Sequence, residues 1–210
     1  MKKWLWVISA IAGLSLLAPG SGYAQFHVVP NQVGIYQFSD GTGSNCTYDI
    51  GVPVTLYLVL TKPTDVQNGD APYTTINAFE CMLEFTPAGN MFLLDEILPP
   101  DAVNSGDNTD INTGFLEYIV EIDNDFPVTE ESVVLITFTF MHVAPGYIET
   151  NLIPTSDPSI PGEMAFRSVS GEPRVMYPNS GSHSYPVFFW DNCPTSAENH
   201  TFGRVKTLYR

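Results

Sequence analysis

The stretch "SGDNTDINTG" places Asp107, Asp110 and Asn112 within six positions of one another. Side-chain oxygens so spaced are the hard ligands that Ca2+ takes. The order is not that of an EF-hand, because no glycine stands in the sixth place and no bidentate glutamate in the twelfth. The same residue types also serve a solvated loop, where Asp, Asn and Gly satisfy turn conformations. Asp107, Asp110 and Asn112 therefore stand as a calcium candidate only, and no cofactor is expected.

Catalysis would need a nucleophile, an acid and base pair or a metal cluster. His27, His142, His183 and His200 are scattered. There is no H-E-x-x-H, and "SGSHS" around Ser182 and His183 is not a G-x-S-x-G elbow. Two carboxylates for glycoside cleavage must stand about 5–10 Å apart, a distance that spacing along a β chain does not encode. A noncatalytic protein is expected. A glycoside hydrolase or other hydrolase is the least favoured reading.

Aromatic residues offer recognition instead. Tyr57, Tyr73, Tyr147, Tyr177, Tyr185 and Trp190 are candidates for an outward platform that stacks on sugar rings or anchors a protein. The competing reading is that most of them cover the ends of the fold. In "YPVFFWD" the neighbours Phe188 and Phe189 cannot both face the same side of a strand.

The elements that position these residues are strands. "VPVTLYLVLT" alternates Val54, Leu56, Leu58 and Leu60 against Thr55, Tyr57, Val59 and Thr61, and "GFLEYIVEID" sets Leu116, Tyr118, Val120 and Ile122 against Glu117, Ile119, Glu121 and Asp123. In "INAFECMLEF" Phe79, Cys81, Leu83 and Phe85 share one face, with Glu80, Met82 and Glu84 on the other. "SVVLITFTFMHV" is apolar nearly throughout, with Val134, Ile136, Phe138 and Phe140 expected on one side, as suits a central strand. Shorter strands are expected over 33–38, 91–94, 147–153, 164–169, 174–177 and 186–190, and loops over 64–74 and 101–114. The prediction is all-β: a single β-sandwich of about nine or ten strands with a short C-terminal tail, helical or disordered.

Residues 1–24 read as a signal peptide: Lys2 and Lys3, an apolar run from Trp4 to Ala18, then Gly22-Tyr23-Ala24 before a cleavage point. Removing them leaves 186 residues holding six of the eight Lys and Arg against 23 Asp and Glu, a formal charge of −17. Nucleic acid and anionic lipid are therefore poor partners for the body, and no membrane span is expected. The protein is expected to be secreted, periplasmic or at the cell surface. Its domain covers 25–195 and its tail 196–210. Export permits disulfides. Cys81 points inward by alternation, which leaves Cys46 and Cys193 as the favoured pair. Free thiols, or a bridge through Cys81, are the alternatives.

The order of "GVPVTLYLVL", "INAFECMLEFTP", a polar loop, "FLEYIVEID", and "SVVLITFTFMHVAPG" with "YIETNLIP" resembles that of cohesin modules over roughly residues 30–165. Immunoglobulin-like and carbohydrate-binding sandwiches share much of the pattern. The resemblance implies binding of a dockerin-type protein through a sheet face. The leading expectation is a noncatalytic module that binds a protein or glycan. The alternative is a structural subunit of an extracellular or surface assembly, with oligomers joined through the tail.

The tail itself, "TFGRVKTLYR", holds Arg204, Lys206 and Arg210. Phe202, Val205, Leu208 and Tyr209 recur at helical spacing and form one stripe, with the last cations near the negative end of the helix dipole. The strand reading sets Phe202 with Arg204 and Lys206 on a shared face. The ending also resembles a W-G-x-V/I-K-x-L-Y-R close of secreted bacterial sandwich proteins. Phe202, Val205, Leu208 and Tyr209 are the candidate residues of a docking segment, an export or attachment tag, and a disordered end is the competing reading.

Overall fold

Phe79, Cys81, Leu83 and Phe85 all reach the interior from one strand, Thr75–Thr86, as their alternation requires. The computed structural model describes residues 29–43, 49–65, 71–107, 110–128, 131–168 and 171–190. Within them the strands are Gln32–Tyr36 (β1), Pro53–Thr61 (β2), Thr64–Asp65 (β3), Ala71–Pro72 (β4), Thr75–Thr86 (β5), Met91–Ile97 (β6), Ala102–Asn104 (β7), Phe115–Pro127 (β8), Ser132–His142 (β9), Ile148–Ile153 (β10), Met164–Arg167 (β11), Pro173–Pro178 (β12) and Phe188–Trp190 (β13). A 3-10 turn, Ile111–Thr113, precedes β8. The signal segment, Cys46, Cys193 and the tail with Phe202, Val205, Leu208 and Tyr209 lie outside the described residues.

The strands form a curled sheet folded into two layers. One layer runs β1, β2, β9, β6, and the other runs β13, β10, β5, β8, β7, with β11 also on β5. β12 joins them, antiparallel to β11 and parallel to β1. Between the layers Phe85 meets Phe140 at 5.6 Å, Tyr118 meets Phe138 at 5.7 Å and Trp190 meets Phe140 at 5.8 Å between ring centroids. Burying each such ring removes apolar surface from water, and truncating Phe138, which has no exposed surface, to alanine costs about 3–5 kcal/mol.

The expected sandwich is present, with additional short strands. Residues 64–74 contain the β3–β4 pair, and residues 101–114 contain β7 and the 3-10 turn. The first is anchored by buried Asn31, whose Oδ1 accepts from Thr64 N at 2.7 Å and whose Nδ2 donates to Thr64 O at 3.2 Å. Asn31 holds φ 62°, a left-handed conformation that Asn tolerates better than most residues.

One inward assignment is corrected. Across β2, Leu58 faces Ile136 but Val59 faces Val134, so Leu135 is an extra residue at a β-bulge. The bulge reverses the phase: Val133 and Leu135 before it are buried, as are Ile136, Phe138 and Phe140 after it, while Val134 is only half-buried.

Candidate functional site

Glu80 and Glu117 stand on the outer side of β5 and β8, where alternation assigns charged residues to solvent. Both are buried, at 6% and 1% exposure. In the register Glu117 opposes Met82 and Glu80 opposes Ile119, so the two are diagonal neighbours on one face. The segment between β10 and β11 crosses above them as a strap. Ser156 donates its backbone N–H and its hydroxyl to Glu117 Oε1, each at 2.7 Å. Ser159 donates its N–H to Glu80 Oε1 at 2.7 Å and its hydroxyl to Glu80 Oε2 at 2.8 Å. Asp107 N donates to Glu117 Oε2 at 3.2 Å. Gly106 passes so close that a Cβ there would lie 2.5 Å from Glu117 O, a backbone clash only glycine avoids. Carboxylates accepting charge-assisted hydrogen bonds hold a loop strongly, since these bonds are about twice as strong as neutral ones. Glu80 and Glu117 thus fasten the strap to the sheet.

Beside the strap a cavity of about 140 Å3 opens between Ala78, Glu80, Ile119, Ser159, Phe166 and Arg167. At its rim Arg167 Nη2 lies 3.8 Å from Glu121 Oε1, a largely solvated pair of small energetic weight.

The other layer presents a different surface. β6 ends it, and its outward residues follow from the register with β9: Phe92 opposes Met141, Asp95 opposes Thr139 and Ile97 opposes Thr137, with a bulge between Leu93 and Asp95. Phe92, Leu94 and Ile97 are 44%, 49% and 60% exposed. Inward-facing Glu96 accepts a 2.8 Å hydrogen bond from the Tyr118 hydroxyl, which crosses the core from β8. Burial first, and then the Glu96 charge, hold the Tyr118 phenol protonated far above the usual range.

The aromatic candidates do not assemble into one platform. Trp190 is corrected to a core residue: β13 turns it inward against Phe140, and its Nε1 donates to Thr150 Oγ1 at 2.8 Å. Tyr73 is half-buried, edge-on to Phe166 at 5.7 Å. Tyr57 is half-buried on the outer side of β2. Tyr147 stacks on Phe189 at 5.6 Å, and Phe188 is the inward member of its pair. Tyr147, Tyr177 and Tyr185 are exposed. Asp110 Oδ1 accepts from Asn112 N at 3.0 Å and Nδ2 at 2.8 Å, capping the 3-10 turn, while Asp107 is engaged through its N–H. Among the described residues no group of three or more His, Cys, Asp or Glu is placed to hold a metal. His142 is buried, which lowers its pKa, and His183 Nδ1 lies 3.0 Å from Leu152 O.

Sequence reasoning missed the Glu80 and Glu117 fasteners and the apolar exposure of β6. The first left no local signal, because Ser156 and Ser159 lie 39 and 79 positions from their acceptors. For the second, "MFLLDEI" carried one: four apolar residues in succession exceed what one buried face can take.

No protein-family model and no curated protein matches the sequence. Among solved structures the chain is similar to the cohesin module of a family 33 glycoside hydrolase from Clostridium perfringens ATCC13124, at 10% identity and TM-score 0.44, covering 70% of this chain and 90% of that one. It is similar to a type II cohesin domain from the cellulosome of Acetivibrio cellulolyticus at 11% identity and TM-score 0.42, covering 70% and 91%. It is also similar to the C-terminal domain of the Streptococcus pyogenes antigen I/II-family protein AspA, at 10% identity and TM-score 0.35, covering 70% and 44%. No helix of the described residues is long and apolar enough to cross a membrane.

Proposed function

We propose that this domain is a noncatalytic module that binds a protein partner through the β6 end of its first layer. The observation that carries the reading is the exposure of Phe92, Leu94 and Ile97 along one terminal strand. Apolar side chains in such a row mark interaction surfaces more often than scattered exposed ones do. A protein is favoured over a glycan because the aromatic set does not share one outward face: Trp190 is in the core and half-buried Tyr73 packs edge-on to Phe166. Asp95 adds negative charge to the outward side of the same strand, which selects a partner with a basic rim.

A photo-crosslinking amino acid placed at Phe92 tests this, with one at Tyr147 for comparison, on cells or secretions of the source organism. The reading expects a discrete protein adduct from position 92 and none from 147, lost on Ile97→Asp. Equal labelling from both positions, or glycan-array binding that survives Ile97→Asp, would reject it.

A further inference from the structure

On the outer side of β5 the register sets two short rows across three strands. Ala78 has Glu121 of β8 on one side and Arg167 of β11 on the other, and Glu80 has Ile119 and Ala165 in the same places. Ala78 and Ala165 end at Cβ, so a hollow stands above them. That hollow is the cavity of about 140 Å3, walled by Ser159 of the strap and by Gly171 and Pro173 at the head of β12. A space of about this size takes a molecule no larger than benzene.

Two opposite charges border it. Glu80 is buried, and a carboxylate offers about four acceptor positions, of which Ser159 fills two. Arg167 donates its Nε–H to Asn77 Oδ1 at 3.3 Å, which fixes the guanidinium, while its Nη2 stands 3.8 Å from Glu121 Oε1, too long for a hydrogen bond. The fork is therefore held in place with donors to spare for a carboxylate. Glu80 and Arg167 are diagonal neighbours on adjacent strands, about 7–8 Å apart between Cα atoms, so one small molecule reaches both.

We infer that this hollow binds a free α-amino acid with a small apolar side chain. Its ammonium meets Glu80, its carboxylate meets Arg167, and its side chain lies over Ala78 and Ala165 against Ile119 and Pro173. The pair of charges decides the class. A simple anion would sit beside the Glu80 carboxylate and a simple amine beside the Arg167 guanidinium, whereas a zwitterion answers both. A peptide end carries only one of the two charges. Releasing Glu121 from Arg167 costs little, because that pair is largely solvated. The hollow lies on the layer opposite β6, so the inference stands apart from the binding reading.

Amide chemical shifts of the full chain, titrated with L-valine, test it. Ala78, Ile119 and Ser159 are expected to shift saturably while Met91–Ile97 stay unmoved. Valinamide, which lacks the carboxylate, and isovalerate, which lacks the amine, should each bind at least about tenfold more weakly, the loss of one charge-assisted contact. Arg167→Gln should weaken L-valine by a similar factor and leave valinamide unchanged, which a general loss of structure would not do. Ala78→Leu should fill the hollow and abolish the shifts with the strand amides otherwise in place. The inference is overturned if L-valine gives no saturable shift at these positions, if valinamide or isovalerate binds as tightly as L-valine, or if Ala78→Leu binds L-valine as well as the wild type does.

Discussion

Ser156 is bound to Glu117 twice, through its N–H and its hydroxyl, both at 2.7 Å from the same carboxylate oxygen. The pair fixes the strap to the outer side of β8. Glu117→Ala leaves these donors and the Asp107 N–H beneath the strap without their acceptor. The expected loss is about 3 kcal/mol in denaturant unfolding, since each buried donor left unmade costs about 1–3 kcal/mol before water and relaxation recover part of it. Limited proteolysis should then cut first within 154–163. Unchanged stability with an uncut strap would show that the clamp is incidental.

Arg174 Nε lies 3.2 Å from Asp65 Oδ1, both side chains being nearly buried. That hydrogen bond is the main reason the guanidinium pKa is raised. Breaking a buried pair from one side strands a charge, so Asp65→Asn is expected to cost about 3–5 kcal/mol. Asp65→Leu with Arg174→Met should recover much of that loss. A double variant as unstable as the sum of the singles would contradict the pairing.

His142 is buried, and among the described residues nothing bonds its Nε2. Burial disfavours the cation, so its folded pKa lies below the ordinary histidine value of about 6.5. The unfolded chain then takes up a proton that the folded one refuses. Stability is full above pH 6.5 and falls as pH drops from there toward the folded pKa. Melting temperatures from pH 8 to pH 5 should decline in the wild type, and less steeply in His142→Gln. Parallel curves would assign the decline to other groups.

Cys81 is fully buried, and its thiol is pushed up to about 12 by burial first and by the neighbouring Glu80 charge second. The thiolate is the reactive form, so native protein at pH 8 should leave Cys81 unalkylated, while denaturant should expose it to complete labelling. Cys81→Ser should cost about 1–3 kcal/mol by burying a hydroxyl beside Leu83 and Phe79. Rapid labelling in the folded state would place the thiol nearer the surface.

Alternation alone made β5 and β8 legible: every residue assigned inward, from Phe79 to Phe85 and from Leu116 to Ile122, is buried. It failed at Val134 because a bulge adds a residue without altering composition, so the phase reverses with nothing local to announce it. It misjudged Glu80 and Glu117 for a different reason. A carboxylate in an outward position reads as solvated unless a distant segment covers it, and serines are too common to identify the cover. Trp190 was ambiguous because a three-residue strand has too few positions to fix a phase, and its facing depends on pairing with β10. The exposed row on β6 was readable from "MFLLDEI", but which of its apolar residues face outward depended on a bulge.

The parallel pairing of β1 with β12 sets a timetable for the polypeptide. Gln32 meets Tyr177, a partner 145 positions later, and the core lacks Trp190 until the last described strand exists. At a synthesis rate of about 5–20 residues per second, β1 waits on the order of ten seconds for that neighbour. Until β12 is made, the emerging chain lacks the strand that joins its two layers. Closure is a late event dominated by distant contacts, of the kind that proceeds in about milliseconds to seconds once the whole domain is present.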